Sequence, residues 1–126
     1  MDNANLLNSA TEAALARRSA ELEKATGHQF VIVTLPSLNG HSIEQTGLAL
    51  GNGWRIGRKG YDDGVLLIVA PRERRVRIEV GCGLEKTLTD QESATIIQQT
   101  ILPHFRKGKF PEGIAAGSDA VIREIS

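Results

Sequence analysis

The sequence predicts an α/β fold, a small mixed sheet with helices packed on both faces. Three observations predict it. Residues 30–35 and 65–69 are β-branched apolar runs of strand length, the pattern of strands covered on both faces. Residues 75–80 instead alternate, with Arg75, Arg77 and Glu79 between Val76, Ile78 and Val80, the pattern of a half-buried strand. Between these runs the same helix-start signature recurs: Ser9 before Glu12, Ser42 before Gln45 and Thr89 before Glu92. In that spacing a hydroxyl takes the amide three residues on, and the acid or amide side chain reaches back.

The elements follow in order. A first helix runs from Ser9 to Thr26, with Leu15, Leu22 and Ala25 on one stripe and Gly27 as its left-handed cap. The strand over 30–35 ends at Pro36. A second helix begins after Ser42 and sets Ile43, Gly47, Leu50 and Trp54 at helical spacing. The strand over 65–69 ends at Ala70 and Pro71. Only residues 71–74 link it to the strand over 75–80, so the two form an antiparallel hairpin, because a parallel crossover needs far more chain. A third helix begins after Thr89, turns Ile96, Ile97 and Ile101 inward and stops near Pro103. The last takes Pro111 as its first residue and carries Ile114, Val121 and Ile125. The first strand, second helix and second strand form a βαβ unit, right-handed by rule.

The chain has 126 residues, enough for one domain with a real core and no staples. The whole of 1–126 reads as that domain, with 1–8 as a disordered N-terminal segment. Fifteen Lys and Arg balance 15 Asp and Glu, so overall charge gives no reason to expect nucleic acid as a partner. Cys82 is the single cysteine, which excludes an intramolecular disulfide. No apolar run reaches 18 residues, so no membrane span lies within the chain. Residues 1–5 lack the basic start and apolar stretch of a signal peptide, which leaves a cytoplasmic protein or a domain without its flanking segments.

The residues best suited to chemistry are acidic. Asp62 and Asp63 stand in a glycine-bounded loop, 57–64, just before the second strand. Glu85 lies in the loop after the third strand, and Asp90 opens the third helix. In a hairpin the start of one strand lies beside the end of its partner, so Asp62, Asp63 and Glu85 are expected at one edge of the sheet. Converging carboxylates suit Ca²⁺ or Mg²⁺, which take oxygen ligands. Against this, loop aspartates often bond only to loop amides, and Asp90 is favoured in a first helical turn by the dipole alone. Other groupings are weaker. Gly51, Gly53 and Gly57 fail the dinucleotide pattern at Ile56. His28, His41, His104 and Cys82 share no zinc-ligand spacing. Arg72, Arg74, Arg75 and Arg77 read as a protected edge and a solvated strand face.

Taken in order, several segments resemble the TPM domain family, named for a thylakoid lumen protein, a photosystem II repair protein and a nematode receptor modulator. They are residues 26–34, 54–60, 62–70, 77–85, 88–90 and 101–110, so the resemblance covers nearly the whole chain. It implies a three-layer α/β/α sandwich. It also implies an extracytoplasmic address, periplasmic or membrane-anchored in the full-length protein, since similar bacterial members carry a signal peptide before the domain and many carry a membrane anchor after it. Family members are associated with divalent cations, calcium above all, and with acid phosphatase activity. The positions matching the family's acidic site are Asp62, Asp63, Glu85 and Asp90. The function expected is a Ca²⁺-type (or Mg²⁺) binding interaction module near the membrane, monomeric, with an unidentified membrane or periplasmic protein as partner, in assembly or repair of membrane complexes. A weak metal-dependent acid phosphatase using the same loops is the alternative; no catalytic set is assigned.

Overall fold

The computed structural model describes residues 2–54 and 63–126. Trp54 stands at the end of the first stretch with its side chain outside the description, and the expectations placed on Asp62 and the loop before it also lie outside the described residues. In chain order the elements are α1 (Ser9–Thr26), β1 (Gln29–Thr34), α2 (Ile43–Trp54), β2 (Gly64–Ala70) and β3 (Arg75–Val80). Then come α3 (Asp90–Ile96), α4 (Leu102–Arg106) and α5 (Phe110–Ile125). The sheet runs β1-β2-β3, with β1 parallel to β2 and β3 antiparallel to it. The βαβ unit and the hairpin are both as the sequence predicts.

The alternation of side chains divides the core. Val65, Leu67 and Val69 of β2 face one cluster with Leu15, Leu22, Ile101, Ile114 and Val121, the layer made by α1 and α3–α5. Leu66, Ile68 and Ala70 face the other, with Ile43 and Leu38, under α2. Every residue of β2 is buried, as a central strand with helices on both faces requires. Each of its larger side chains contributes about 1.5–3 kcal/mol by leaving water. β3, at the edge, is only half-buried.

Three helix starts were expected from capping boxes, and two have them. Ser42 and Gln45 exchange hydrogen bonds, as do Thr89 and Glu92. At α1 the cap is Asn8, whose side chain accepts from the Thr11 amide, so the cap sits one residue before the expected Ser9. Gly27 closes α1 with φ 81, as expected, but Ala25 is exposed and not part of the buried stripe. The helix expected to stop near Pro103 does not stop. It widens into a π-turn over Ile97–Ile101 and continues as α4, with Pro103 near the start, where a missing amide costs nothing. The end comes at Gly108, with φ 73.

The N-terminal segment corrects a further expectation: residues 2–8 are not free chain. Asp2 bridges Thr34 in parallel, and the Asn3 and Ala4 amides donate to the Thr34 carbonyl and hydroxyl. The Asp2 carboxylate in turn accepts from the Leu6 and Leu7 amides and from the Thr34 hydroxyl. Among the described residues no helix is long and apolar enough to cross a membrane.

Candidate functional site

Three backbone segments meet where the acids were expected. The Gln29 amide, opening β1, donates to the Asp63 carbonyl at 3.1 Å, and the Gly81 amide, just past β3, donates to the Gly64 carbonyl at 2.8 Å. Asp63 therefore stands between the start of β1 and the end of β3. It is only 3% exposed, one of four polar residues buried among those described. Burying a carboxylate is costly without compensation, and Asp63 does not stand alone among its neighbours.

Beyond Gly81 the chain makes a tight turn over Cys82–Leu84, in which Leu84 is buried and Cys82 exposed. Glu85 follows, exposed. Leu88 is buried in the core and its amide donates a hydrogen bond back to the Leu84 carbonyl, and Thr89 caps α3. Asp90 is the first residue of α3 and is also exposed. The described acids differ in setting: Asp63 is buried, and Glu85 and Asp90 face solvent. Among the described residues, no three His, Cys, Asp or Glu side chains are grouped so as to hold a metal ion.

One residue at this end had no functional signal in the sequence. His28 Nδ1 lies 2.7 Å from the Ile125 carbonyl, tying the start of β1 to the last turn of α5. A carbonyl only accepts, so Nδ1 carries the proton and Nε2 is left as the acceptor of the neutral ring. Nothing in the spacing of His28 from position 125 could have revealed the contact. A separate cleft of about 310 Å³ lies between α1 and β1, lined by residues including Leu7, Leu15 and Phe30. None of the candidate acids lines it.

The layers define a small α/β/α sandwich. The sequence matches the TPM domain family over residues 1–124, and the chain belongs to that family. A solution structure of an N-terminal domain from P. gingivalis is 36% identical, covering 98% of this chain and 78% of that one, with a TM-score of 0.91. The BA42 protein of the psychrophilic bacterium Bizionia argentinensis is 19% identical over 94% of this chain and 81% of that one, with a TM-score of 0.76. The N-terminal domain of cg2496 from Corynebacterium glutamicum is 17% identical over 99% of this chain and 78% of that one, with a TM-score of 0.71. These last two share the fold. No curated protein matches the sequence.

Proposed function

We propose that this domain is a divalent-cation-binding interaction module, taking Ca²⁺ or Mg²⁺, which works outside the cytoplasm near the membrane in assembly or repair of membrane complexes. The observation that carries the reading is the burial of Asp63 where β1, β2 and β3 come together. A carboxylate residue held at such a junction, with Asp62 beside it in the chain, supplies oxygen donors of the kind hard cations take. The donor chemistry fits. The described acids alone do not make a cage, so the reading requires Asp62 with Asp63 as the inner pair, joined by backbone carbonyls or water. Glu85 and Asp90 then act as outer carboxylates that raise the local negative charge. A bound ion would order the loops at this end and give a partner protein a fixed surface.

The test is a calcium titration followed by amide NMR shifts, with magnesium as control. The amides of 62–64 and 83–90 are expected to move together and saturate by about millimolar calcium, the range of extracellular calcium modules. Asp63→Asn is expected to abolish the response. Because Asp63 is buried, Glu85→Gln and Asp90→Asn, at exposed positions, are run beside it and should weaken binding without unfolding. Absence of any shift at millimolar calcium defeats the reading. Metal-dependent hydrolysis of a phosphomonoester, lost in the Asp63 variant, would replace it with the phosphatase.

A further inference from the structure

We propose that the opposite end of the domain, formed by the β2–β3 turn and the loop before α5, docks on an anionic lipid bilayer. The proposal needs no metal and does not depend on the acidic edge. The turn carries Arg72 and Arg74, with Arg75 opening β3, and the loop carries Lys107 and Lys109, with Arg106 closing α4; all are exposed. The topology brings the two together. α5 ends where Ile125 meets His28, beside the start of β1, and partway along it Asp119 pairs with Arg18 of α1. The 16 residues of α5 span about 24 Å, and the six of β1 about 20 Å. Running back along the sheet, α5 begins level with the end of β1. That is also where β2, parallel to β1, enters the hairpin turn.

Two carboxylates at this end are held within the fold and keep their charge. Glu73 turns to the Leu38 amide and the Ser37 hydroxyl, and Asp2 to its own segment. The exposed carboxylates there are Glu12, Glu44 and Glu112, each in the first turn of its helix. Six basic side chains thus stand against five carboxylates, of which three are exposed. Among the described residues none of the six basic side chains makes an ion pair, and Arg77, further along β3, is already held by Glu79 at 2.8 Å.

Arg74 adds an independent pointer. Its φ is 56, the left-handed region, and the turn is closed by its amide on the Pro71 carbonyl. Every other described residue with positive φ is Gly or Asn, the types that adopt it cheaply. This backbone holds the exposed Arg74 side chain at the tip of the turn, beside Arg72 and Arg75.

The shape selects the occupant. The two basic loops belong to different layers, about 10 Å apart, so they do not converge on one small anion. Neither offers an exposed aromatic for stacking, and the one large apolar side chain exposed among the described residues, Leu48, belongs to α2. A flat field of lipid phosphates engages both loops at once and asks for no insertion.

Co-sedimentation with vesicles, in chelator, tests this apart from the calcium reading, which is measured without vesicles. The protein is expected to bind vesicles of phosphatidylglycerol in phosphatidylcholine and not phosphatidylcholine alone. Binding should fall as salt rises from ~0.1 M to ~0.5 M. Each neutralised cation should lower partitioning about fivefold, whether in the turn (Arg72→Gln, Arg74→Asn, Arg75→Gln) or in the loop (Lys107→Gln, Lys109→Gln). Arg74→Asn keeps the left-handed turn, so an unchanged amide spectrum separates lost contact from lost fold. Equal binding to neutral vesicles, or turn variants that bind like the wild type, overturns the proposal. Loss confined to the turn variants also overturns it, in favour of an acidic peptide on that loop.

Discussion

Asp2 shows how much a single side chain can organise. Burial alone would push its carboxyl up, but hydrogen bonds from the Thr34 hydroxyl and the Leu6 and Leu7 amides outweigh this and hold it below its ordinary value of 3.8. A depressed carboxylate contributes stability that is present above that ordinary value and lost as pH falls through the lower folded one. Docking of the N-terminal segment should therefore persist through mild acid and fail only in strong acid. Thr34 is fully buried and serves both Asp2 and Ala4. Thr34→Val is expected to cost about 1–2 kcal/mol and to speed amide exchange at Ala4, Leu6 and Leu7, read by hydrogen–deuterium exchange NMR. Ser93 is the opposite case, buried at 6% exposure, with a hydroxyl that lacks a hydrogen-bond partner among the described residues. Ser93→Ala should leave stability unchanged or raise it by up to about 1 kcal/mol in thermal melts. The residues of the candidate site were legible as types. Two adjacent aspartates in a glycine-bounded loop stand out in any sequence, but the burial of Asp63 follows from the meeting of three strands, which no local pattern encodes.

Among the elements, α5 is tightly fitted. A Cβ added at Gly117 would meet Ile101 side-chain atoms at 2.5 Å, and one at Gly113 would meet the Phe105 ring at 2.6 Å. These glycines, four apart on one helix face, let α5 press against the π-turn and α4. Gly117→Ala should therefore destabilise by about 1–3 kcal/mol, although helix propensity alone favours alanine by about 1 kcal/mol; chemical denaturation decides the sign. At the other end of α5, Glu124 hydrogen-bonds with Glu92 of α3, and that bond and the Glu92 charge raise its carboxyl above the ordinary 4.5. Glu92 is lowered, first by the Thr89 backbone and hydroxyl and then by Glu124. The raised group stabilises fully below 4.5 and loses that contribution as pH rises through its folded value. Glu124→Gln keeps a donor toward Glu92 at every pH, so its melting temperature should gain on the wild type between pH ~4 and ~7. A gap that does not change with pH would break the assignment. Most elements were legible because strand runs and capping spacings are local signals. The misread helix end was not: Pro103 looks like a stop until the π-turn before it supplies a fresh first turn.

At the scale of the molecule, the described residues cover the two faces of the sheet unequally. One carries α1 and α3–α5 over a large apolar cluster, and the other carries α2 over a cluster that is smaller among the described residues. The sequence announced helices on both faces but not this imbalance, because helical periodicity says that a helix has a buried side and not which face of the sheet receives it. The consequence is physical. Gly47 lets α2 lie close on Ile68, Arg77 and Glu79, but among the described residues few buried side chains hold it there. Segments with few buried apolar contacts open at less than the global free energy. Leu66 and Leu67 are neighbours on β2, 2% and 0% exposed, and point to opposite faces. Truncating either to alanine should cost about 2–5 kcal/mol where the whole domain responds. Leu67→Ala weakens the large cluster, so it should accelerate exchange in α2 and α5 alike and lower the denaturation midpoint. Leu66→Ala removes the floor beneath α2, so exchange at residues 46–50 should accelerate well before that of α5. Native-state hydrogen exchange on the two variants measures this directly. Equal acceleration of α2 and α5 in Leu66→Ala would mean that the faces unfold as one unit. A selective effect on α2 would mean that the helix leading toward Asp62 and Asp63 can loosen while the rest of the sandwich stays folded.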